Sequence, residues 1–179
     1  MTATERAARL RMMILDVDGV LTDGRLFIGP QGEAMKAFDV RDGHGIKMLM
    51  AAGIQVAVLT ARRSAIVGAR MRELGVSRVL QGQSDKRAGL AHLLHDTGLE
   101  AAQCGYMGDD LPDLAVLKMV GFAAAPADAT DEVLAVAHWV SPRDGGRAAV
   151  RSTAEFILRA QGKWESTLAR HIPTDGCPP

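Results

Sequence analysis

Two aspartates, Asp16 and Asp18, stand one residue apart at the end of the apolar run 12–15. Side chains two positions apart on an extended segment project to the same side of it. Carboxylates held this close repel each other unless a cation lies between them or one of them keeps its proton. Asp and Gly are also ordinary turn residues, so the pair alone could simply end a strand. The interpretation that carries chemistry is a metal site that handles phosphate.

A hydroxyl-bearing residue, Thr60, follows the apolar run 56–59, and Ala61 comes directly after it. A hydroxyl and backbone amides at the start of a helix can hold phosphoryl oxygens, although Thr60 could instead be no more than a helix cap. Lys86 stands at the start of a predicted helix, where the helix dipole disfavours positive charge. This position indicates either a lysine that neutralises phosphate or an ordinary solvated lysine.

A second acidic cluster, formed by Asp109, Asp110 and Asp113, follows the strand-like segment that ends at Met107. Asp109 and Asp113 are four residues apart and share a face if the helix begins early. Asp110 and Asp113 are also typical of the acidic first turn of any helix. Asp109 is therefore the strongest metal-ligand candidate of the three. A small set of oxygen ligands suits Mg²⁺, which binds one or two carboxylates together with a substrate phosphate.

The segments that must position these residues alternate between short apolar runs and stretches of helical period. This alternation predicts an α/β fold with a doubly wound, mostly parallel sheet covered by helices on both faces. Ligands of such sheets bind beyond the carboxyl ends of the strands, where the candidate residues lie. The predicted strands are 12–16, 55–60, 78–80, 103–107, 121–123 and 138–140, and the predicted helices are 43–52, 64–74, 86–97, 111–120 and 148–161.

An insertion at about 24–38 interrupts the alternation and is predicted to form two strands joined by a turn at 29–32. A hairpin directly after the aspartate pair would stand over the site, but it is too small to be a cap domain. A neighbouring subunit is the obvious candidate for the missing cover. We predict one domain over 1–162 and a C-terminal tail over 163–179 that has no helical period.

Composition excludes several classes of function. Lys plus Arg number 21 and Asp plus Glu number 21, so no net charge attracts nucleic acid or an anionic membrane, and the few aromatic residues are scattered. The chain has two cysteines, Cys104 and Cys177, whose separation suggests neither a disulfide framework nor a zinc site. With no apolar stretch long enough to span a bilayer and no signal-peptide core, we expect a cytoplasmic protein.

Taken together, the segment 16–22, Thr60, Lys86 and the segment 108–113 resemble the four motifs of the haloacid dehalogenase superfamily of phosphatases. Within it, the missing cap, the hairpin, the segment Val40 to Leu49 and the late Gly145-Gly146 pair are similar to the capless phosphatases that act on 3-deoxy-D-manno-octulosonate 8-phosphate. The similarity extends over roughly 12–163.

The resemblance implies a magnesium-dependent phosphomonoester hydrolase in the biosynthesis of a lipopolysaccharide sugar. Asp16 would be the nucleophile that forms an aspartyl phosphate, and Asp18 would be the acid and then the base. The remaining implied roles are metal binding by Asp16, Asp18 (through its backbone carbonyl) and Asp109, phosphate binding by Thr60, Ala61 and Lys86, and acidic support by Asp110 and Asp113.

The carboxylate of a sugar acid requires a basic partner, for which Arg62 is the best candidate because it lies next to the Thr60 segment. The other nearby basic residues are Arg41, which could pair with Asp39 or Asp42 instead, Arg63, which could be solvated, and His44. Gly24 is also expected at the substrate. The resemblance further implies a homotetramer in which the C-terminal segment reaches a neighbouring site.

The sequence departs from the family pattern at two positions, and three alternative functions remain open. Ala61 stands where the family usually has glycine, and Arg147 stands where it usually has lysine after the paired glycines. The nearest alternative is a phosphatase of a nine-carbon sugar acid 9-phosphate. The remote alternatives are a phosphoacceptor signalling domain and a catalytically idle regulatory subunit that keeps the fold.

Overall fold

The computed structural model of the chain describes residues 1–172. Its main sheet has six parallel strands, which are β1 (Met12–Leu15), β4 (Gln55–Thr60), β5 (Arg78–Gln81), β6 (Cys104–Met107), β7 (Phe122–Ala125) and β8 (Trp139–Val140). Their order across the sheet is β5-β4-β1-β6-β7-β8. The helices are α1 (Ala3–Ala8), α2 (Val40–Ala51), α3 (Ala65–Leu74), α4 (Lys86–Thr97), α5 (Leu114–Leu117), α6 (Asp131–Val136), α7 (Ala149–Ala160) and α8 (Trp164–Ala169).

The central strand β1 is buried on both faces, which is why it is continuously apolar rather than alternating. Met13 and Leu15 pack into the core that α1, α2, α3 and α7 cover. Met12 and Ile14 pack into the opposite core, under α4, α5 and α6. The structure therefore confirms the predicted doubly wound α/β fold.

The predicted insertion is a two-stranded antiparallel hairpin formed by β2 (Phe27–Gly29) and β3 (Gly32–Met35). Gly29 pairs with Gly32, so Pro30 and Gln31 alone form the turn. Apolar side chains of the hairpin region point to solvent, with Ile28 65% and Met35 56% exposed. A two-stranded hairpin is marginally stable by itself, so its order depends on contacts elsewhere in the protein.

The prediction that no helix follows Gln161 was wrong for the described residues, because α8 occupies the beginning of the predicted tail. Lys163 Nζ donates to the carbonyl of Ala52 at 3.0 Å. The Arg159 guanidinium lies 4.3 Å from the centre of the Trp164 ring. The first of these contacts joins residues more than a hundred positions apart, and a local search for helical period does not detect it. Residues 173–179 of the predicted tail lie outside the described part of the chain.

Two other helical segments differ from the predictions. The predicted helix 111–120 is a single 3₁₀ turn, Leu111–Asp113, followed by the short α5. Helix α6 was not predicted, since its six residues bury only Val133 and show no clear period. Within residues 1–172, the helices are too short or too polar for any of them to cross a membrane.

Candidate active site

The first two acidic residues of the site meet at the centre of the sheet. Strands β1 and β6 are neighbours at the point where the strand order reverses, which is where ligands of doubly wound sheets bind. Asp16 follows β1, and its N–H donates to the carbonyl of Met107 at 3.0 Å. Asp109 lies two residues beyond the end of β6. The chain therefore brings these two carboxylates together from segments that are far apart in sequence.

Asp16, Asp109 and Asp113 form a cluster in which one oxygen of each lies within 4.8 Å of the others. Burial, reinforced by the charge of Asp113, raises the pKa of Asp16 to about 6 although Lys86 opposes the rise. Burial and the charges of Asp113 and Asp16 raise the pKa of Asp109 to about 7. Asp16 Oδ1 is buried and has no hydrogen-bond partner among residues 1–172. A buried free oxygen in a set of oxygen donors fits a divalent cation such as Mg²⁺.

Asp113 lies within the cluster, but its oxygens already have partners. Its Oδ1 accepts hydrogen bonds from Lys86 Nζ and Tyr106 OH, both at 2.5 Å. Its Oδ2 accepts from the N–H groups of Asp109 at 3.0 Å and Asp110 at 3.3 Å. Asp113 therefore orders the loop that presents Asp109. The supporting role of Asp113 stays a prediction, and these contacts favour it.

The side chain of Asp110 makes a different kind of contact from those of Asp109 and Asp113. Its side chain accepts from the N–H of Leu111 at 2.7 Å and caps the short 3₁₀ turn. Gly108, two residues earlier, is packed so tightly that a Cβ there would lie 2.4 Å from Asp113 Cγ. The loop can approach Asp113 this closely because the residue is glycine.

Lys86 is the first residue of α4, as the sequence predicts, and its side chain is 4% exposed. Its Nζ lies 3.0 Å from Asp16 Oδ2 and 2.5 Å from Asp113 Oδ1. Burial lowers the pKa of the Lys86 ammonium, but the carboxylates of Asp16 and Asp113 raise it above its ordinary value. These two carboxylates offset the unfavourable end of the helix dipole and keep the lysine charged.

Thr60 and Ala61 line the same cleft, which has a volume of about 330 Å³. Thr60 is the last residue of β4 and is buried. Its carbonyl accepts from the N–H of Gln83 at 3.0 Å, which joins this loop to the loop that leads to Lys86. The predicted phosphate-binding residues therefore share one rim. The other residues of the cleft wall are Asp16, Asp18, Gly24, Arg62, Lys86, Asp109, Asp110, Pro112 and Asp113.

Asp18 lies in this cleft, but its carboxylate points away from the acidic cluster and toward the hairpin. Asp18 Oδ1 forms an ion pair with Lys36, whose side chain is 1% exposed. Asp18 Oδ2 lies 3.6 Å from Arg62 Nε. The sequence analysis identified Arg62 but missed Lys36 and its neighbour Glu33. These two residues look like ordinary hairpin residues in the sequence, and only the hairpin's predicted position over the site pointed toward them.

The candidate substrate residues do not all meet at the cleft. Gly24 and Arg62 line it, but Arg41 does not lie among its lining residues. Arg41 lines a second cavity of about 520 Å³ and contacts Asp39, with its NH2 group 2.6 Å from Asp39 Oδ2. This is one of the two pairings that the sequence left open for Arg41. Its assignment to the substrate stays a prediction, and the geometry favours Arg62.

The late glycine pair supports the aspartate loop. The N–H of Gly146 donates to the carbonyl of Val20 at 2.9 Å. A Cβ at Gly145 would lie 1.8 Å from the carbonyl oxygen of Gly19. Asp42 anchors the following segment, since its carboxylate accepts from the N–H groups of Ala148 at 3.2 Å and Arg151 at 2.8 Å. From the sequence, Asp42 was considered only as a partner of Arg41, because the helix end that it caps lies more than a hundred residues away.

Comparison with known proteins adds independent findings. A family model described as haloacid dehalogenase-like hydrolase matches residues 73–146. The 3-deoxy-D-manno-octulosonate 8-phosphate phosphatase KdsC of Yersinia pestis is 45% identical over 168 residues, which are 94% of this chain and 90% of that protein. The crystal structure of the phosphatase from Yersinia pestis has a TM-score of 0.89 at 45% identity and covers 91% of this chain and 88% of its own.

A further solved structure carries ligands. The 3-deoxy-D-manno-octulosonate 8-phosphate phosphatase of Moraxella catarrhalis, in complex with a magnesium ion, a phosphate ion and a KDO molecule, has a TM-score of 0.92 at 37% identity. The match covers 95% of this chain and 98% of that chain. The similarity therefore extends over nearly the whole chain.

Proposed function

This chain belongs to the 3-deoxy-D-manno-octulosonate 8-phosphate phosphatase family of haloacid dehalogenase-like hydrolases, and on that premise we propose how its site removes phosphate from that sugar acid. The reaction is hydrolysis of a phosphomonoester, with Mg²⁺ as cofactor, in the biosynthesis of the Kdo sugar of lipopolysaccharide. The observation that carries the proposal is the buried Asp16 carboxylate, which has one free oxygen and one oxygen 3.0 Å from Lys86 Nζ.

The proposed reaction has two steps. Asp16 attacks phosphorus, the bond between phosphorus and the sugar oxygen breaks, and a proton moves from Asp18 to that oxygen. Asp18 then takes a proton from water, which attacks phosphorus and releases inorganic phosphate and the Asp16 carboxylate. Covalent catalysis divides one difficult displacement into two easier ones.

Charge compensation in the site comes from several groups. Lys86 and the backbone at Thr60 and Ala61 hold the phosphoryl oxygens. The residues that would hold Mg²⁺ are Asp16, Asp109 and the backbone carbonyl of Asp18. The ion, when bound, offsets the repulsion between an anionic nucleophile and an anionic ester.

Arg62 is the proposed partner of the substrate carboxylate. Its side chain is 45% exposed and lies on the cleft wall beside Asp18, so part of the guanidinium is free to bind an anion. An arginine recognises a carboxylate through two parallel hydrogen bonds, but it does not distinguish an eight-carbon from a nine-carbon sugar acid. Substrate length must therefore be read by other parts of the cleft.

We also propose a homotetramer in a cytoplasmic setting. The exposed apolar side chains of the hairpin region support association between copies, with Ile28 65% and Phe27 41% exposed. The C-terminal segment proposed to reach a neighbouring site includes residues 173–179, outside the described chain. Light scattering on the purified protein and on Ile28→Lys tests this proposal, because a charged residue at a buried interface should lower the observed mass.

Phosphate release tests the proposed function directly. The assay compares 3-deoxy-D-manno-octulosonate 8-phosphate with a nine-carbon sugar acid 9-phosphate, with and without Mg²⁺. We expect magnesium-dependent turnover of the eight-carbon ester and no measurable turnover by Asp16→Asn, which removes the nucleophile but keeps its shape. A single equivalent of stable phosphoprotein would identify a phosphoacceptor domain instead. Turnover by Asp16→Asn at the parental rate would refute the assigned nucleophile.

A further inference from the structure

The hairpin places a buried cation against Asp18. Lys36 lies just after β3, and its side chain is 1% exposed although most of the hairpin faces solvent. Its ammonium forms an ion pair with Asp18 Oδ1 and lies 3.0 Å from Glu33 Oε1. A buried ammonium is costly unless it is paired, so its position is set by these two carboxylates.

Glu33 connects the hairpin to the loop after β4. Its Oε2 accepts a hydrogen bond from the hydroxyl of Ser64, which also caps α3. Arg62 bridges the same two carboxylates, with Nε 3.6 Å from Asp18 and NH2 3.9 Å from Glu33. The hairpin is therefore fixed to the main domain by an ionic network that includes Asp18.

This network is neutral when Asp18 is ionised, because Asp18 and Glu33 then contribute two negative charges and Lys36 and Arg62 contribute two positive charges. When Asp18 carries the proton that it donates, the network has one net positive charge. The acidic cluster of Asp16, Asp109 and Asp113 is a separate group of oxygens, and Asp18 is not among its members within residues 1–172. Two carboxylates one residue apart are thus held in different surroundings.

We propose, building on the phosphatase function above, that Lys36 is a positioning residue for the reaction. It fixes the Asp18 carboxylate on the hairpin side of the cleft, apart from the cation cluster, where a proton can pass to the departing sugar oxygen. Glu33 holds Lys36 in place. Without Lys36, Asp18 is free to turn toward the divalent ion and become a ligand instead of an acid.

The choice of leaving group separates this role from a structural one. A sugar alkoxide needs a proton as it departs, whereas p-nitrophenolate is stable without one. General acid catalysis contributes about 10²- to 10⁴-fold, and a misplaced catalytic group costs about 10²-fold. For Lys36→Met we therefore expect kcat on the sugar acid phosphate to fall about 100-fold, with KM changed by less than about threefold.

Single-turnover release of p-nitrophenolate from p-nitrophenyl phosphate should change by less than about threefold in the same variant, because that step needs no proton from Asp18. Lys36→Arg should recover most of the lost kcat. Lys118→Met removes an exposed lysine elsewhere and is the matched control, which should behave like the parent.

Several results would overturn the proposal. An equal loss of rate on the two substrates would make Lys36 a structural residue. A raised KM at unchanged kcat would make it a substrate ligand. Unchanged kinetics would mean that Lys36 has no role in the reaction. If Lys36→Met does not fold, as judged by circular dichroism, Glu33→Gln replaces it, with an expected loss of about tenfold in kcat on the sugar ester only. A parent protein that is inactive on both esters would instead refute the phosphatase function itself.

Discussion

Gly19 should be indispensable for presenting Asp109 to the metal, and the structure gives the size of the effect. A Cβ at Gly19 would lie 2.0 Å from Asp109 Oδ2, and ordinary contact begins at 3.4 Å, so the carboxylate would have to retreat by about 1.4 Å. A displacement of about 1 Å in a catalytic arrangement can cost about 10²-fold in rate. We expect Gly19→Ala to lower kcat/KM at limiting Mg²⁺ by at least about 100-fold.

The control for Gly19→Ala must carry the same backbone strain without the clash. Gly53 has φ +81°, close to the φ of +87° at Gly19, and a Cβ at Gly53 would meet no atom within 4 Å. Both alanine variants should lose about 1–2 kcal/mol of stability from the left-handed backbone. Only Gly19→Ala should lose Mg²⁺ affinity, measured by calorimetry, and phosphate release. Equal Mg²⁺ affinity in the two variants would refute the contact between Gly19 and Asp109.

Two further predictions concern the acidic cluster. Tyr106→Phe removes the hydroxyl that donates to Asp113 Oδ1, so the free energy of unfolding, measured by heat or urea, should fall by about 1.5–3 kcal/mol. The Mg²⁺ affinity of this variant should change by less than about threefold. A larger change would make Asp113 a metal ligand. Because the pKa of Asp16 is about 6 and that of Asp109 about 7, protons compete with Mg²⁺ and its apparent affinity should fall as the pH drops from 8 to 5. These carboxyls hold protons more tightly in the folded than in the unfolded protein, so the metal-free protein should also lose stability as the pH rises from 4 to 7. Calorimetric titration over this range tests the Mg²⁺ affinity, and thermal unfolding tests the stability. Mg²⁺ binding that does not depend on pH would contradict the predicted competition with protons.

Much of the fold and of the inner site could be predicted because local signals and topology agreed. The run 12–15 is apolar at every position since β1 is buried on both faces, and helix α4 begins at Lys86 as expected. Once the strands were identified, the rule that ligands lie beyond their carboxyl ends brought Asp16 and Asp109 to one rim. Those residues follow strands directly, so their places depend on little else.

The residues that sequence reasoning missed act across long distances in the chain. Asp42 caps α7 from α2, and helix α8 is held by backbone carbonyls at the end of α2. Lys36 is buried only because the hairpin folds onto Asp18, and a charged residue after an exposed strand gives no sign of that burial. Arg41 shows the converse, since a basic residue near the site in sequence contacts Asp39 at another cavity.

The division of charge between the two halves of the cleft assigns different tasks to Asp16 and Asp18. Three carboxylates and the single ammonium of Lys86 give the inner cluster a net charge of minus two when all are ionised. Burial, together with the repulsion between these carboxylates, raises the pKa values of Asp16 and Asp109. A divalent ion neutralises this net charge, so the inner carboxylates favour cation binding and nucleophilic attack. In the outer network, the carboxylates of Asp18 and Glu33 are already balanced by Lys36 and Arg62, so this network gains nothing from a divalent cation. Asp18 is thereby left to exchange protons with the ester oxygen and water, although it is only two residues from the nucleophile.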